Sequence, residues 1–351
     1  MSTPELLRQL LTAAGPSGYE TAPAAIWRES ASSFAEVTVD AIGNSVARVP
    51  GTAGGPLVAL IGHIDEIGVI VTHIADDGML RFEGVGGWDP VILVGQRVTM
   101  TTRDGEIPGV IGKKPIHLMK ADDRKSAPEL RELHIDIGAR DGEDARDRIR
   151  VGDVGVVAVE PIDLPNDRLV SKALDNRIGS YVALEAARRV AEAGGAPGDV
   201  AAVAAVQEET NLVGSRTSVF SLDPAIAIVI DVTFATDQPG VEIGELPRQP
   251  FGIGAVIARG SMIHPRVLEL LVEAAVEAEV PYTFAASGRA TGTDADAVHL
   301  ARGGIPTGLI SIPLRYMHSP VEMVQLDDVD AAIRLLAAFA QRLSADTSLI
   351  R

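Results

Sequence analysis

Cysteine is absent from the 351 residues. That absence removes disulfides, cysteine-ligated zinc and thiol nucleophiles together, so any metal in this chain must be held by histidine and carboxylate. Cationic clusters are missing as well: 31 Lys and Arg stand against 48 Asp and Glu, a formal net charge of −17, and nowhere do basic residues gather into a track for a phosphate backbone. Nucleic acid is therefore not an expected partner. No apolar stretch approaches the roughly 20 residues that a membrane span needs. The opening "MSTPELLRQLLTAAG" carries an amphipathic helical pattern in place of the basic and apolar regions of a secretory leader. No membrane association is expected, and the cytoplasm is the default location.

What is present is ample apolar material, 46% of the residues, in a length that suits one large domain or two. The spacing predicts helices in "PELLRQLLTAAG" and "APAAIWRESASSF", a hairpin in "EVTVDAIGNSVARV" turning near "IGN", and a buried strand over Leu57 to Ile61. From about Val69 to Pro161 the character changes to short alternating runs such as "GVIVTHI", "QRVTMTT" and "VGDVGVVAV", punctuated by Gly and Asp-Gly turns and one charged stretch from Asp141 to Arg150. That pattern predicts a small β-barrel or sandwich. Strand and helix alternation then returns, with a helix over Ile178 to Ala193, strands near 200 to 206 and 226 to 230, a helix over Pro265 to Glu279, a strand at "TGLISI" and a last helix over Leu326 to Leu343. The reading is an α/β domain, discontinuous over residues 1–68 and 162–351, interrupted by a β insertion over 69–161.

In open α/β sheets reactive groups gather beyond the carboxyl ends of the strands. The polar residues that follow each apolar run are few: His63 and Asp65 after "LVALIG", Asp175 after "RLVSKAL", Glu208 and Glu209 after "VAAVAAVQ", Asp231 after "IAIVI", and His318 beyond the strand at Leu309 to Ile312. Each has a bland alternative. Asp175 alone would cap a helix, Asp231 alone would make an Asx turn, and a lone His63 or His318 is more often structural than a ligand. Their joint occurrence changes the balance, because several carboxylates buried at one rim repel one another and lose hydration unless cations are present. Two divalent cations carry four positive charges, which three ligating carboxylates and one hydroxide match, with two neutral imidazoles completing the set. This is the donor set of a dinuclear site with one bridging carboxylate. Zinc suits it, and cobalt or manganese also fit. Asp65, two residues after His63 on an extended segment, is placed to accept from the other nitrogen of that imidazole.

The motifs "GHIDEIG", "VSKALDNRIG", "VQEE", "DVTFATD", "GTDADAVHL" and "ISIPLRYMHSPVEM" fall in the order and spacing of the tetrahedral aminopeptidases. That dinuclear metallopeptidase family includes glutamyl and deblocking aminopeptidases and proteins labelled cellulase M, and the chain resembles it over essentially its whole length, including "GVGGWDP", "VGQRV", "GVIGKKPIHLM" and "LHIDIGA" in the insertion. The resemblance implies a catalytic domain of the zinc-exopeptidase type with an inserted PDZ-like dimerisation domain, and dodecamers built from dimers. It implies that Asp175 bridges two metals, that His63 and Asp231 complete one site and Glu209 and His318 the other, and that Glu208 is the general base. The expected substrates are peptides with a free N-terminus. Two positions depart from the family pattern, Thr210-Asn211 for the usual Val-Gly and Phe234 for a common histidine; neither is a ligand, and both bear on the substrate pocket. A dinuclear deacylase of N-acyl amino acids is the runner-up, and a catalytically silent shell is a third reading that the intact ligand set disfavours.

Overall fold

The run "VAAVAA" is rich in alanine, a poor strand former on its own, yet it lies in the middle of a sheet because the small side chains let helices press on both faces. A computed structural model describes residues 2–120, 123–242, 244 and 246–350. Its main sheet has eight strands side by side, in the order Glu36–Val39, Ser45–Val49, Gly198–Ala205, Gly55–His63, Ile226–Phe234, Thr307–Leu314, Ala255–Gly260 and Tyr282–Ser287. The four in the centre, from Gly198–Ala205 to Thr307–Leu314, run parallel. Their carboxyl ends therefore open on the same edge, and these are the ends that carry the candidate residues.

Side chains alternate across the central strands. Val58 and Leu60 face the large core built with the helices Leu174–Glu192, Pro265–Glu277 and Leu326–Arg342. Ala59 and Ile61 face a smaller core that includes Val219 of the helix Val213–Leu222 and Ala295 and Val298 of the short helix Ala295–Val298. Close approach on the first face depends on glycine. A Cβ on Gly62 would lie 2.3 Å from the backbone of Gly179 and Ser180 in the helix Leu174–Glu192. Only hydrogen fits there, and the contact brings the start of that helix, with Asp175, beside His63.

The insertion forms a closed six-stranded barrel, with Gly68–Ile74, Leu80–Val85, His134–Asp136, Gly105–Gly112, Arg97–Thr102 and Val154–Val157 in circular order. Val69, Val71, Leu80, Phe82, Val98, Met100, Ile111 and Ile135 fill its interior. The charged stretch beginning at Asp141 is a helix, Gly142–Arg148, capped by the Asp141 carboxylate, which accepts from the amides of Glu143 and Asp144; it lays Ala145 on the barrel core. A separate three-stranded sheet, Ile162–Leu164, Arg168–Ser171 and Glu322–Gln325, pairs Ser171 with Glu322 and so draws the segment before Asp175 alongside the segment after His318.

Most predicted elements are present with shifted ends. The strands Ala255–Gly260 and Tyr282–Ser287 at one sheet margin and the helix Val213–Leu222 were not foreseen. Glu208 and Glu209 also differ from the strand-end expectation. The strand stops at Ala205, Gln207 takes a left-handed backbone (φ 57°), and the two glutamates begin a four-residue helix, Glu208–Asn211. They diverge by the helical turn between neighbours rather than by strand alternation.

Candidate active site

His63 ends its strand buried, with Nε2 3.3 Å from Asp175 Oδ1 and 3.7 Å from Glu208 Oε2. The other oxygen of Asp175 faces the second imidazole: Oδ2 lies 3.4 Å from His318 Nε2, and Glu209 Oε1 lies 3.4 Å from the same nitrogen. Asp175 does not cap its helix. Its backbone and that of Asn176 are non-helical (Asp175 φ −80°, ψ 104°), which turns the carboxylate toward the two histidines. Donor atoms of His63, Asp175 and Glu209 lie within 4.8 Å of one another, and so do those of His63, Glu208 and Asp231. All seven residues singled out from the sequence thus join one cluster, with His63, Asp65, Asp175 and Asp231 buried and Glu208, Glu209 and His318 half-buried at its edge.

Asp65 has two relations in this cluster. Its Oδ1 is 3.3 Å from His63 Nδ1, though that nitrogen lacks the alignment of a hydrogen bond. Its two oxygens also accept from the amides of Glu208 and Glu209, each at 3.1 Å. A carboxylate from one strand end therefore caps the short helix on the next, fixing the Glu pair relative to His63. Thr210, one of the departures from the family pattern, ties the same helix to Ser17 by a hydroxyl contact of 3.1 Å.

The electrostatics are those of a cation site. Burial disfavours a charged His63, but Glu208, Asp175 and Asp65 outweigh it and raise its pKa well above the ordinary value. Contact with Asp175, then with Glu209, raises His318 to about 11. Burial also works against the charge on Asp175, yet the two imidazoles hold its carboxyl well below the usual range. Glu208, pushed up to about 8, and Asp231, raised well above its ordinary value, owe their shifts first to burial. Without a cation the site gathers protons to neutralise itself. Glu209 Oε1 is buried with no hydrogen-bond partner. An orphaned carboxylate oxygen, two imidazoles and a central two-faced carboxylate fit divalent metal well.

Three neighbours were not assigned roles from the sequence. Glu322, buried behind the cluster, accepts from the amides of Asp175 at 3.1 Å and His318 at 2.8 Å, so one carboxylate holds both segments. Burial raises its pKa well above the usual range. Asp294, in the motif "GTDADAVHL", is buried with neither oxygen hydrogen-bonded; burial raises it to about 6, and His63 is the foremost charge acting on it. Gly87, in the barrel segment, offers its carbonyl to His318 Nδ1 at 2.8 Å. The motifs had been noticed, but only three-dimensional closure reveals these partners.

A model of the M42 glutamyl aminopeptidase family matches residues 43–335. The chain belongs to that family. It is 36% identical over 346 residues to the lysyl aminopeptidase of Pyrococcus furiosus, covering 97% of each chain. Among solved structures it resembles the TET aminopeptidase of a marine-sediment Thaumarchaeota archaeon, with TM-score 0.91, 36% identity and coverage of 97% of this chain and 96% of that one. It also resembles the TET1 peptidase of Pyrococcus horikoshii, with TM-score 0.84, 30% identity and coverage of 97% and 99%; that peptidase assembles into a tetrahedron or a large octahedral shell. This M42 protein is a metal-dependent aminopeptidase, and the buried His and carboxylate cluster is its candidate active site. One name in these comparisons specifies glutamyl and another lysyl residues. The chemistry they share is removal of an N-terminal residue, with the side-chain preference left to the pocket.

Proposed function

We propose that the M42 chain removes single residues from the N-termini of peptides using two divalent cations, with His63, Asp175 and Asp231 holding one and Asp175, Glu209 and His318 the other. The observation that carries this reading is the pose of Asp175, whose two oxygens face two imidazoles at 3.3 and 3.4 Å. When bound, the cations would acidify a shared water and polarise the scissile carbonyl. Glu208, left over once the ligands are counted, takes the proton of the attacking water on its carboxylate and returns it to the leaving amine. Its amide, fastened to Asp65, keeps it beside the ligands. The carboxylate-rich rim supplies counter-charge to the free α-amine of the substrate, which restricts cleavage to the terminal residue.

Recognition of an acidic substrate side chain would call for a cation, and Arg315 directly follows the strand Thr307–Leu314. It is already paired with Asp237, with Nε 3.3 Å from Oδ1, and stacks 4.2 Å above the Phe251 ring. An acidic preference has no support from that residue. Zinc is the proposed native cation on ligand type, and a homo-oligomer, a tetrahedral dodecamer, is the proposed assembly, in keeping with the tetrahedron that the Pyrococcus horikoshii TET1 peptidase can form.

The deciding experiment is chelation followed by reconstitution with zinc, cobalt or manganese, assayed on a panel of aminoacyl substrates and on N-acetylated counterparts. Activity should vanish on chelation, return with metal and require a free amine. Full activity in rigorously metal-free protein, or equal turnover of acetylated substrates, would overturn the reading.

A further inference from the structure

The barrel segment reaches into the active site. Its loop from Gly86 to Asp89 follows the strand Leu80–Val85, and the carbonyl of Gly87 accepts from His318 Nδ1 at 2.8 Å. A ring whose Nδ1 carries the proton has Nε2 free to donate its lone pair, and Nε2 is the atom directed at Asp175 and Glu209. Gly86 adopts a left-handed backbone (φ 78°), and a Cβ there would lie 2.6 Å from Ile67 and 3.3 Å from Glu209 Oε2. Trp88 closes the loop by donating from Nε1 to the carbonyl of Gly68 at 2.7 Å, at the start of the first barrel strand. Trp88 also lines the same small cavity as Glu209 and His318. Of these three consecutive residues, Gly87 contacts the ligand His318, Trp88 anchors the loop, and Gly86 leaves beside Glu209 a space that a side chain would fill.

We infer that the Gly86-Gly87-Trp88 loop is a positioning element for the metal held by Asp175, Glu209 and His318. The barrel thus tunes the affinity of one metal site in addition to any part it plays in assembly. Gly87 fixes the tautomer and plane of the His318 ring through its carbonyl. Gly86 leaves room for Glu209, and Trp88 sets how far the loop stands from the rim. The inference rests on the proposed ligand set, since it concerns a metal at His318. Asp175 is shared, but the cavity that Trp88 lines with Glu209 and His318 does not include His63 or Asp231, so the other metal should be much less sensitive.

The test measures metal binding to the full chain by equilibrium dialysis against a chelator of known affinity, beside thermal unfolding and activity at limiting and excess metal. Trp88→Phe removes the Nε1 donor and keeps the ring; Gly86→Ala forces the loop off Ile67 and Glu209. Both should displace the Gly87 carbonyl from His318 and so raise the dissociation constant of one cation about 10–100-fold, the usual effect of losing a ligand's outer partner. The other cation should stay bound, and excess metal should restore kcat. Ile135→Val in the barrel core should lower the melting temperature without altering either affinity. His318→Ala separates the two levels of the argument: if that variant keeps both cations, the proposed ligand set fails. If it loses one while Trp88→Phe and Gly86→Ala bind both as wild type, the ligand set stands and the positioning role is overturned. Activity loss in the loop variants that excess metal does not rescue would also overturn it.

Discussion

Glu208 and Glu209 are neighbours in sequence with unlike surroundings. Glu209 Oε1, which makes no hydrogen bond, faces His318 Nε2 at 3.4 Å, whereas Glu208 Oε2 faces His63 Nε2 at 3.7 Å. Glu208→Gln should keep both metals and the fold while slowing turnover by the ~10²–10⁴-fold typical of losing a general base. Glu209→Gln should weaken one metal instead, because a neutral amide is a poorer ligand for a dication. Metal content per subunit, measured with the rate for each variant, checks both; loss of a metal from Glu208→Gln with both retained in Glu209→Gln would exchange the two roles. The same two positions show what a sequence can and cannot display. That a polar pair follows an apolar run was legible. That the pair starts a helix after a left-handed Gln207, capped by Asp65 from another strand, was not, because the cap comes from 143 residues away.

Among the elements, the seat of the helix Leu174–Glu192 on the strand Gly55–His63 decides where Asp175 stands. Glycine at 62 makes that seat possible, since a methyl there would meet backbone at 2.3 Å with no flexible side chain to yield. Gly62→Ala should destabilise the chain by ~1–3 kcal/mol, the usual range for overpacking, or by more if the backbone resists. It should also weaken metal binding by moving Asp175 away from His63. Thermal unfolding and metal titration of the same variant test this together. Wild-type values for both would mean that helix and strand can separate without disturbing the cluster.

For the whole molecule, two expectations follow from the way the barrel and the sheet share the site. Replacing residues 69–161 with a short loop should yield dimers or monomers in place of a large particle, if the insertion carries the subunit contacts. It should also cost one metal, because Gly87 leaves with the insertion. Light scattering reads the first outcome and metal analysis the second; an unchanged particle mass would assign assembly to other surfaces. The second expectation concerns pH. In the metal-free chain burial pushes Glu208 up to about 8, and contact with Asp175 and Glu209 raises His318 to about 11, so both shifts favour the protonated form at neutral pH. Metal binding must displace protons from the cluster, and apparent affinity should therefore rise with pH and fall in acid. Calorimetry in buffers of different ionisation enthalpy should register proton release at pH 7, and no release would contradict this electrostatic picture.

The sequence by itself determined the class of chemistry. Lack of cysteine restricted any metal to His and carboxylate, and the apolar runs ending in His63, Glu208, Glu209 and Asp231 announced buried strands of an α/β sheet with a polar rim, because strands covered on both faces are nearly continuous in apolar character. The break to short alternating runs after Val69 marked the barrel. Tertiary structure alone decided which groups complete the rim. Glu322 holds the amides of Asp175 and His318, residues 143 positions apart in the chain. Gly87 reaches His318 across 231 positions, and Asp294 enters the field of His63 from beyond the end of the sheet. None of these contacts has a local signature, since a backbone carbonyl or a buried carboxylate acquires its partner only when the barrel, the small sheet and the main sheet close on one another.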